Sequence, residues 1–337
     1  METTIKKVDR LTTTEELAAI ELAGQYIREG RLVAFPTETV YGLGADALNE
    51  AAVAAIFAAK GRPADNPLIV HIADLEMLPS LAEVNDIVYK LADAFWPGPL
   101  TLVLPKKDIV PDIVTAGLDS VAVRMPDNQV ALALIRASGR PIAAPSANLS
   151  GRPSPTVAEH VAIDMSGRIP LILDGGAVDI GLESTVIDIC GDRPTLLRPG
   201  KITADDLEPY LGKIAVAGSK EAQRPAAPGM KYTHYAPKAK VYLAKDGDQI
   251  KQLIGQLQPQ GQLMVIATDV TAAALPKDTD VFIISRDHDW ETFARNIFAA
   301  FRLADAKGAA SVITETVPEQ GIGLAIMNRL RKAESKD

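Results

Sequence analysis

Two hydrophobic rhythms alternate along the chain. Thr12-Thr13-Thr14-Glu15-Glu16 precedes apolar residues at Leu17, Ile20, Leu22 and Ile27, a helical spacing behind a capping sequence, and Gly30 closes the segment. Residues 31–35 then form a short apolar run stopped by Pro36, which predicts a buried strand. The alternation recurs as an Ala-rich helix over 49–59, a strand over 68–72, a helix over 86–95 and a strand over 100–104. Further short strands are predicted at 121–124, 141–144, 171–173 and 185–189. Helices between strands imply an α/β sheet, and short connections add antiparallel pairs.

From about 211 to 238 the periodicity fails. Arg224-Pro225-Ala226-Ala227-Pro228-Gly229-Met230-Lys231-Tyr232-Thr233-His234-Tyr235-Ala236-Pro237 can continue neither a helix nor a central strand. This predicts a linker over 211–238 between a first domain, 1–210, and a second, 239–337. The second repeats the alternation, with strands at 241–243, 263–266, 281–284 and 311–314 and helices at 249–257, 290–306 and 324–332. That order predicts a small Rossmann-like sheet. Gly321-Ile322-Gly323 lacks the third glycine and the following strand of a dinucleotide site, so none is predicted.

The length, 337 residues, agrees with two domains, and 47% hydrophobic content with globular ones. No apolar run approaches the roughly 18 residues that span a bilayer, and the opening Met1-Glu2-Thr3-Thr4-Ile5-Lys6-Lys7 lacks a signal-peptide core, so a cytoplasmic location and no membrane partner are expected. Cys190, the single cysteine, excludes an internal disulfide, and with four scattered histidines no metal site built from protein side chains is identified. Packing is the expected role of Cys190. A net charge of −8 argues against strong direct nucleic-acid binding, so any anion site has to be local.

Two short signatures offer such a site: Lys60-Gly61-Arg62, after a predicted helix, and Ser146-Ala147-Asn148, at the end of a predicted strand where open α/β sheets place ligands. Each has a plain structural reading, cationic helix capping for the first and turn punctuation for the second. Thr156-Val157-Ala158-Glu159 has capping-box form, which predicts a helix N-terminus within a few residues of Ser154. His71 lies on an apolar strand, as a satisfied core histidine or a ligand. Arg124 and Arg198 end apolar runs, where an enclosed guanidinium needs a carboxylate or phosphate partner. Trp96-Pro97-Gly98-Pro99 reads as a shaped turn with a packed aromatic. No Walker A, GxSxG, HExxH or kinase signature is present.

In combination and order, these elements closely resemble the YrdC-like family, in its two-domain threonylcarbamoyl-AMP synthase branch. The resemblance rests on Pro36-Thr37-Glu38-Thr39-Val40-Tyr41-Gly42-Leu43, Lys60-Gly61-Arg62-Pro63, Asn66-Pro67-Leu68-Ile69-Val70-His71, Trp96-Pro97-Gly98-Pro99-Leu100-Thr101, Val123-Arg124-Met125-Pro126, Ala144-Pro145-Ser146-Ala147-Asn148, Glu183-Ser184-Thr185-Val186 and Arg198-Pro199-Gly200. The linker and C-terminal sheet extend it to nearly the whole chain. It implies a YrdC-like twisted mixed sheet followed by a smaller Rossmann-like α/β domain. It also implies a nucleotidyltransferase that joins L-threonine, bicarbonate or CO2, and ATP carrying Mg2+ into L-threonylcarbamoyladenylate, releasing pyrophosphate. The product would serve the modification of adenosine 37 in tRNAs reading codons that begin with A, through downstream threonylcarbamoyl-transfer proteins. The resemblance implies ATP contacts at Lys60, Arg62, Ser120, Ser146, Asn148, Ser154, Arg198 and Tyr235, with Lys60 and Arg62 catalytic. It implies threonine contacts at Thr37, His71, Arg124, Ala144 through its backbone, and Ser184.

This chemistry suits the residue types. A carbamate must approach a polyphosphate, so repulsion is the obstacle, which Lys60, Arg62 and phosphate-bound Mg2+ would offset while Arg124 clamps the threonine carboxylate. The linker would serve as a lid that keeps water from a labile mixed anhydride. One rival reading is a non-catalytic RNA-binding or translation-associated protein on the same fold, against which the acidic balance counts. Another is a carbamoyl-transfer maturation enzyme, whose relatives carry Cys-rich metal modules that a single cysteine cannot build.

Overall fold

The structure, a computed structural model, describes residues 1–217 and 235–335. Eleven strands form the first sheet: β1 (Thr4–Lys7), β2 (Val33–Phe35), β3 (Gly42–Asp46), β4 (Ile69–His71), β5 (Leu100–Pro105), β6 (Ser120–Arg124), β7 (Ile142–Ala143), β8 (Leu171–Asp174), β9 (Thr185–Asp188), β10 (Thr195–Arg198) and β11 (Ala215–Val216). Their order is β1-β8-β2-β3-β7-β4-β6-β5-β9-β10-β11. Pairing is mixed: β4 and β6 run parallel, whereas β5 and β6 run antiparallel. Four further strands, β12 (Lys240–Ala244), β13 (Leu263–Ala267), β14 (Val281–Ile283) and β15 (Ser311–Glu315), form a second, wholly parallel sheet in the order β12-β15-β13-β14. Mixed α/β and small parallel-sheet architectures are thus both present, as the alternation of strands and helices implies.

Helices cover the first sheet from both sides. Thr14–Arg28 and Gln129–Ser138 pack Ala23, Ile27, Leu134 and Ile135 against Phe35, Leu171 and Leu173. On the other side Glu50–Lys60 and Asp86–Phe95 bring Val53, Ile56 and Leu91 onto Leu43, Val70, Leu102 and Val123. The first helix begins where the sequence predicts, because Thr13 and Glu16 close a reciprocal capping box. Trp96 packs into the core and donates its indole N–H to the Leu100 carbonyl at 2.7 Å. In the second domain the helix Trp290–Lys307 buries Phe293, Ile297, Phe298 and Phe301 on the sheet.

Three expectations need correction. Thr156 does not cap a helix: Ala158–Met165 starts from Val157 with no side-chain cap, and the Thr156 hydroxyl instead meets His160 Nδ1 at 3.3 Å. Cys190 is exposed rather than packed, in the turn that follows β9. The Lys60 ammonium does not cap its own helix, which Gly61 ends in the left-handed region at φ 61°. Most of the linker, residues 218–234, lies outside the described residues, and with it the proposed lid. Among the described residues, no helix is long and apolar enough to cross a membrane.

Candidate active site

Strand register makes the floor of a pocket. Alternate residues Val70, Leu102, Val123 and Ile187 enter the core beneath the helices, so Ile69 and His71, Thr101 and Val103, Ala122 and Arg124, and Val186 face the opposite side. β4 and β6 pair with His71 opposite Arg124, which brings both side chains to one end of the sheet. They line a cleft together with Thr37, Lys60, Arg62, Ala144, Ser146, Asn148, Ser154, Ser184, Arg198 and Tyr235. Twelve of the residues that the family resemblance implies therefore meet in one place. The thirteenth, Ser120, does not: it starts β6, on the same face as Arg124 but four residues, roughly 13 Å, back along the strand.

Lys60 joins the two sequence signatures directly. Its buried Nζ donates to the carbonyls of Ser146, at 2.5 Å, and Asn148, at 2.6 Å. Burial, and then the charge of Arg62, push its pKa well below the ordinary lysine value. Arg62 reaches the same cleft and donates to the Asn66 carbonyl at 3.0 Å. Asn148 spends its amide N–H groups on the carbonyls of Leu149 and Arg152, both at 2.8 Å. Among the described residues, that leaves its buried Oδ1 without a protein partner, and the same is true of His71 Nδ1. Two orphaned polar atoms in one cleft are groups a ligand can satisfy. Burial, and then Arg124, lower the His71 pKa to about 3, so the ring is neutral near pH 7.

Arg124 has the carboxylate partner its position demands. Its guanidinium pairs with buried Glu38 and donates to Thr39 Oγ1 at 2.9 Å and to the Gly98 carbonyl at 3.2 Å. Thr37 folds its hydroxyl into the same loop, donating to the Val40 carbonyl at 2.7 Å. Ala144 commits its N–H to the Ile69 carbonyl at 2.9 Å.

The other side of the cleft is assembled from loops, the end of β10 and the second domain. Ser154 donates to Glu183 Oε1 at 2.6 Å, and Glu183 Oε2 accepts from Arg329 Nε at 2.9 Å. Burial pushes the Glu183 carboxyl up, but Arg329, Arg198 and the Ser154 hydroxyl together hold it below its usual range. Arg198 has no carboxylate partner among its hydrogen bonds here: it donates to the Ser184 carbonyl at 2.9 Å and to Ser184 Oγ at 3.0 Å. Ser184 Oγ also contacts Thr101 Oγ1 at 2.7 Å. Tyr235 stacks on Phe298 of the second domain at 5.3 Å between ring centroids and shares a hydrogen bond with Arg198. Gly181 lets the two domains touch here, since a Cβ on it would lie 2.4 Å from the Arg295 Cα.

Sequence reasoning passes over Glu38, Glu183 and Arg329. Both glutamates stand inside the quoted motifs, beside residues given a role. Arg329 carries a readable signal: with Ile322, Ile326 and Ala333 it keeps helical spacing on a buried face, where a charge demands a partner. Among the described residues, no group of three or more His, Cys, Asp or Glu side chains could hold a metal ion.

Comparison with known proteins places the chain in a family. The profile of the family described as telomere recombination (Sua5, YciO and YrdC) matches residues 25–200, and that of the threonylcarbamoyl-AMP synthase C-terminal domain matches residues 202–335. The chain is 52% identical to the threonylcarbamoyl-AMP synthase of Pyrococcus abyssi over 93% of each chain. It is 49% identical to that of Bacillus subtilis, over 96% of this chain and 95% of the relative. The crystal structure of P. abyssi Sua5 complexed with L-threonine superposes with a TM-score of 0.90, at 49% identity, over 98% of this chain and 97% of the other.

Proposed function

The chain belongs to the threonylcarbamoyl-AMP synthase family, and from that premise we propose how its pocket performs the reaction. It is an enzyme of the nucleotidyltransferase type. L-Threonine, bicarbonate or CO2, and ATP with its Mg2+ enter as substrates, and L-threonylcarbamoyladenylate and pyrophosphate leave. The adenylate serves the threonylcarbamoyl modification of adenosine 37 in tRNAs reading ANN codons. It is a labile mixed anhydride that downstream transfer proteins consume, in the cytoplasm where tRNA and ATP are available.

The threonine amine adds to CO2, giving a carbamate; a carbamate oxygen then attacks the α-phosphorus, and the bond to pyrophosphate breaks. No protein side chain is required as a covalent nucleophile. The carbamate and the polyphosphate repel one another, so the pocket's task is to hold two anions together. Arg124, ion-paired to Glu38 in the free protein, takes the threonine carboxylate. The neutral His71 ring, whose Nδ1 has no partner among the described residues, and Thr37 take the threonine hydroxyl. An analogue without that hydroxyl would leave a buried polar atom unpaired, at a cost of about 1–3 kcal/mol. Serine lacks one methyl, worth only about 1 kcal/mol.

On the nucleotide side Arg62 and the Ser146 and Asn148 turn receive the phosphates. Two Lys60 N–H donors hold that turn in place, so Lys60 shapes the phosphate site, and bound phosphates favour the charged form that burial disfavours. Ser154, Arg198 and Tyr235 complete the nucleotide wall.

The observation that carries this reading is the meeting of Lys60, Arg62, Asn148, His71 and Arg124 in one cleft. The test is pyrophosphate release with Mg–ATP and 13C-bicarbonate, with and without L-threonine, the product weighed by mass spectrometry. Release that requires threonine, with the labelled carbon in an adenylate of the expected mass, is the predicted outcome. Pyrophosphate release indifferent to threonine contradicts it.

A further inference from the structure

Arg329 heads the largest fully buried side chains of the described structure, and it belongs to the second domain. It stands in the helix Ile322–Ala333, on the face that Ile326 and Ala333 bury. A buried guanidinium is costly unless its donors are matched. Its matches lie mostly across the domain boundary: Nε donates to the Glu183 carboxylate at 2.9 Å, Nη1 to the Pro199 carbonyl at 2.7 Å and Nη2 to the Glu183 carbonyl at 3.3 Å. Nη1 also meets Asn328 Oδ1 of its own helix at 3.2 Å.

These partners are the hinges of the nucleotide wall. Glu183 accepts from Ser154 with its other oxygen and precedes Ser184, while Pro199 follows Arg198, whose guanidinium bonds Ser184. The Tyr235 ring centre lies 5.7 Å from the Arg329 guanidinium carbon. We propose that Arg329 is a positioning residue of this active site, by which the second domain fixes Ser154, Arg198 and Tyr235 for ATP without touching the reacting atoms. This rests on the nucleotide reading given above. A purely structural pair at this buried contact would be replaceable by apolar residues at little cost. Here one guanidinium bridges the loop that leads into β9, at Glu183, and the end of β10, at Pro199, both of which adjoin ligand-facing side chains.

The test is steady-state adenylate synthesis by the full chain, with ATP and L-threonine varied separately. Arg329→Met is expected to raise KM for ATP about tenfold or more, the value of one lost charge-assisted hydrogen bond. KM for threonine and kcat change by less. Arg329→Lys keeps the charge but cannot grip Glu183 and Pro199 together, so it falls between Met and Arg. Because Arg329→Met strands a buried carboxylate, Arg329→Met/Glu183→Gln is measured beside it. The double variant is expected to fold more stably than the single one, with KM for ATP still raised. Arg295→Ala is the control: its side chain bridges the same domains through the Asp179 carbonyl at 2.6 Å, outside the cleft lining, and its loss leaves the Arg329 bonds to Glu183 and Pro199 in place. Its KM values should stay unchanged.

A folded Arg329 variant with unaltered KM for ATP, losing only kcat as active protein is lost, overturns the proposal. Calorimetric titration of the same proteins with Mg–ATP separates the two readings. If the unsubstituted chain binds ATP but makes no threonine-dependent adenylate, the proposed function fails. If it makes adenylate and the Arg329 variants bind ATP as tightly, the positioning role fails.

Discussion

At one side of the cleft, Lys60, His71, Arg124, Ser146 and Asn148 are set by a single sheet and the turns at its strand ends. At the other, Ser154, Glu183, Arg198 and Tyr235 are set by contacts among loops, the end of β10 and a second domain. The first group depends on register: β4 against β6 aligns His71 with Arg124, and Lys60, at the end of the helix Glu50–Lys60, fastens the Ser146–Asn148 turn. The second depends on matched buried charge, with Arg329 and Glu183 satisfying each other across the boundary. The sheet side, which takes threonine and the phosphates, and the domain-contact side, which completes the nucleotide wall, should therefore fail in different ways.

The largest effect should come from Lys60→Ala, which breaks the strand-end side. It removes a positive charge from the phosphate site and leaves two buried carbonyls without their donor. We expect kcat/KM for adenylate synthesis to fall about 100-fold or more, with unfolding free energy lower by about 2 kcal/mol in a denaturant titration. A loss below tenfold would remove Lys60 from the phosphate site.

Gly181→Ala addresses the domain contact, at a residue whose N–H also donates to the Thr39 carbonyl at 3.1 Å. The residue sits at φ 79°, and its new methyl would strike the Arg295 backbone. A loss of about 2 kcal/mol is expected, with the KM for ATP raised more than the KM for threonine. Equal weakening of both substrates would erase the distinction between the two sides.

The pH dependence of stability separates them further. His71 has a folded pKa of about 3, below its ordinary 6.5, because of burial and Arg124. The unfolded chain therefore binds the proton first as pH falls. The stabilisation is complete above about pH 6.5 and is lost between there and about pH 3, at up to about 1.4 kcal/mol per pH unit. His71→Gln should flatten that part of the stability profile. An unchanged slope would mean that His71 is not buried neutral in the fold.

Ser120→Ala should have the smallest effect. The structure places Ser120 outside the cleft lining, so KM for ATP should move by less than about threefold, within the value of one neutral hydrogen bond. A tenfold rise would extend the nucleotide site along β6.

The two sides also differed in how far they could be read from sequence. Apolar runs bounded by Pro and Gly located β2, β4, β5, β6, β8 and β9, because buried strands need continuous hydrophobicity. β1 escaped, being exposed at all four residues, and so did β3, whose Gly42-Leu43-Gly44 carries little apolar signal. The strand-end residues were legible because their motifs are local and contiguous. Glu183 was quoted but its partner was not, since nothing in a one-dimensional pattern joins positions 183 and 329. The false capping box at Thr156 shows the converse. A local pattern fits, but His160 captures the hydroxyl.

The central claim is that one cleft has a threonine side and a nucleotide side, with Arg124 belonging to the first. Calorimetric titration of Arg124→Ala with L-threonine and, separately, with Mg–ATP tests it most directly, against the unsubstituted chain. The account predicts that threonine binding weakens at least about 100-fold, the value of a lost charged hydrogen-bond pair, while ATP affinity stays within about threefold. Undiminished threonine binding by folded Arg124→Ala, or an equal loss of both ligands, would contradict it.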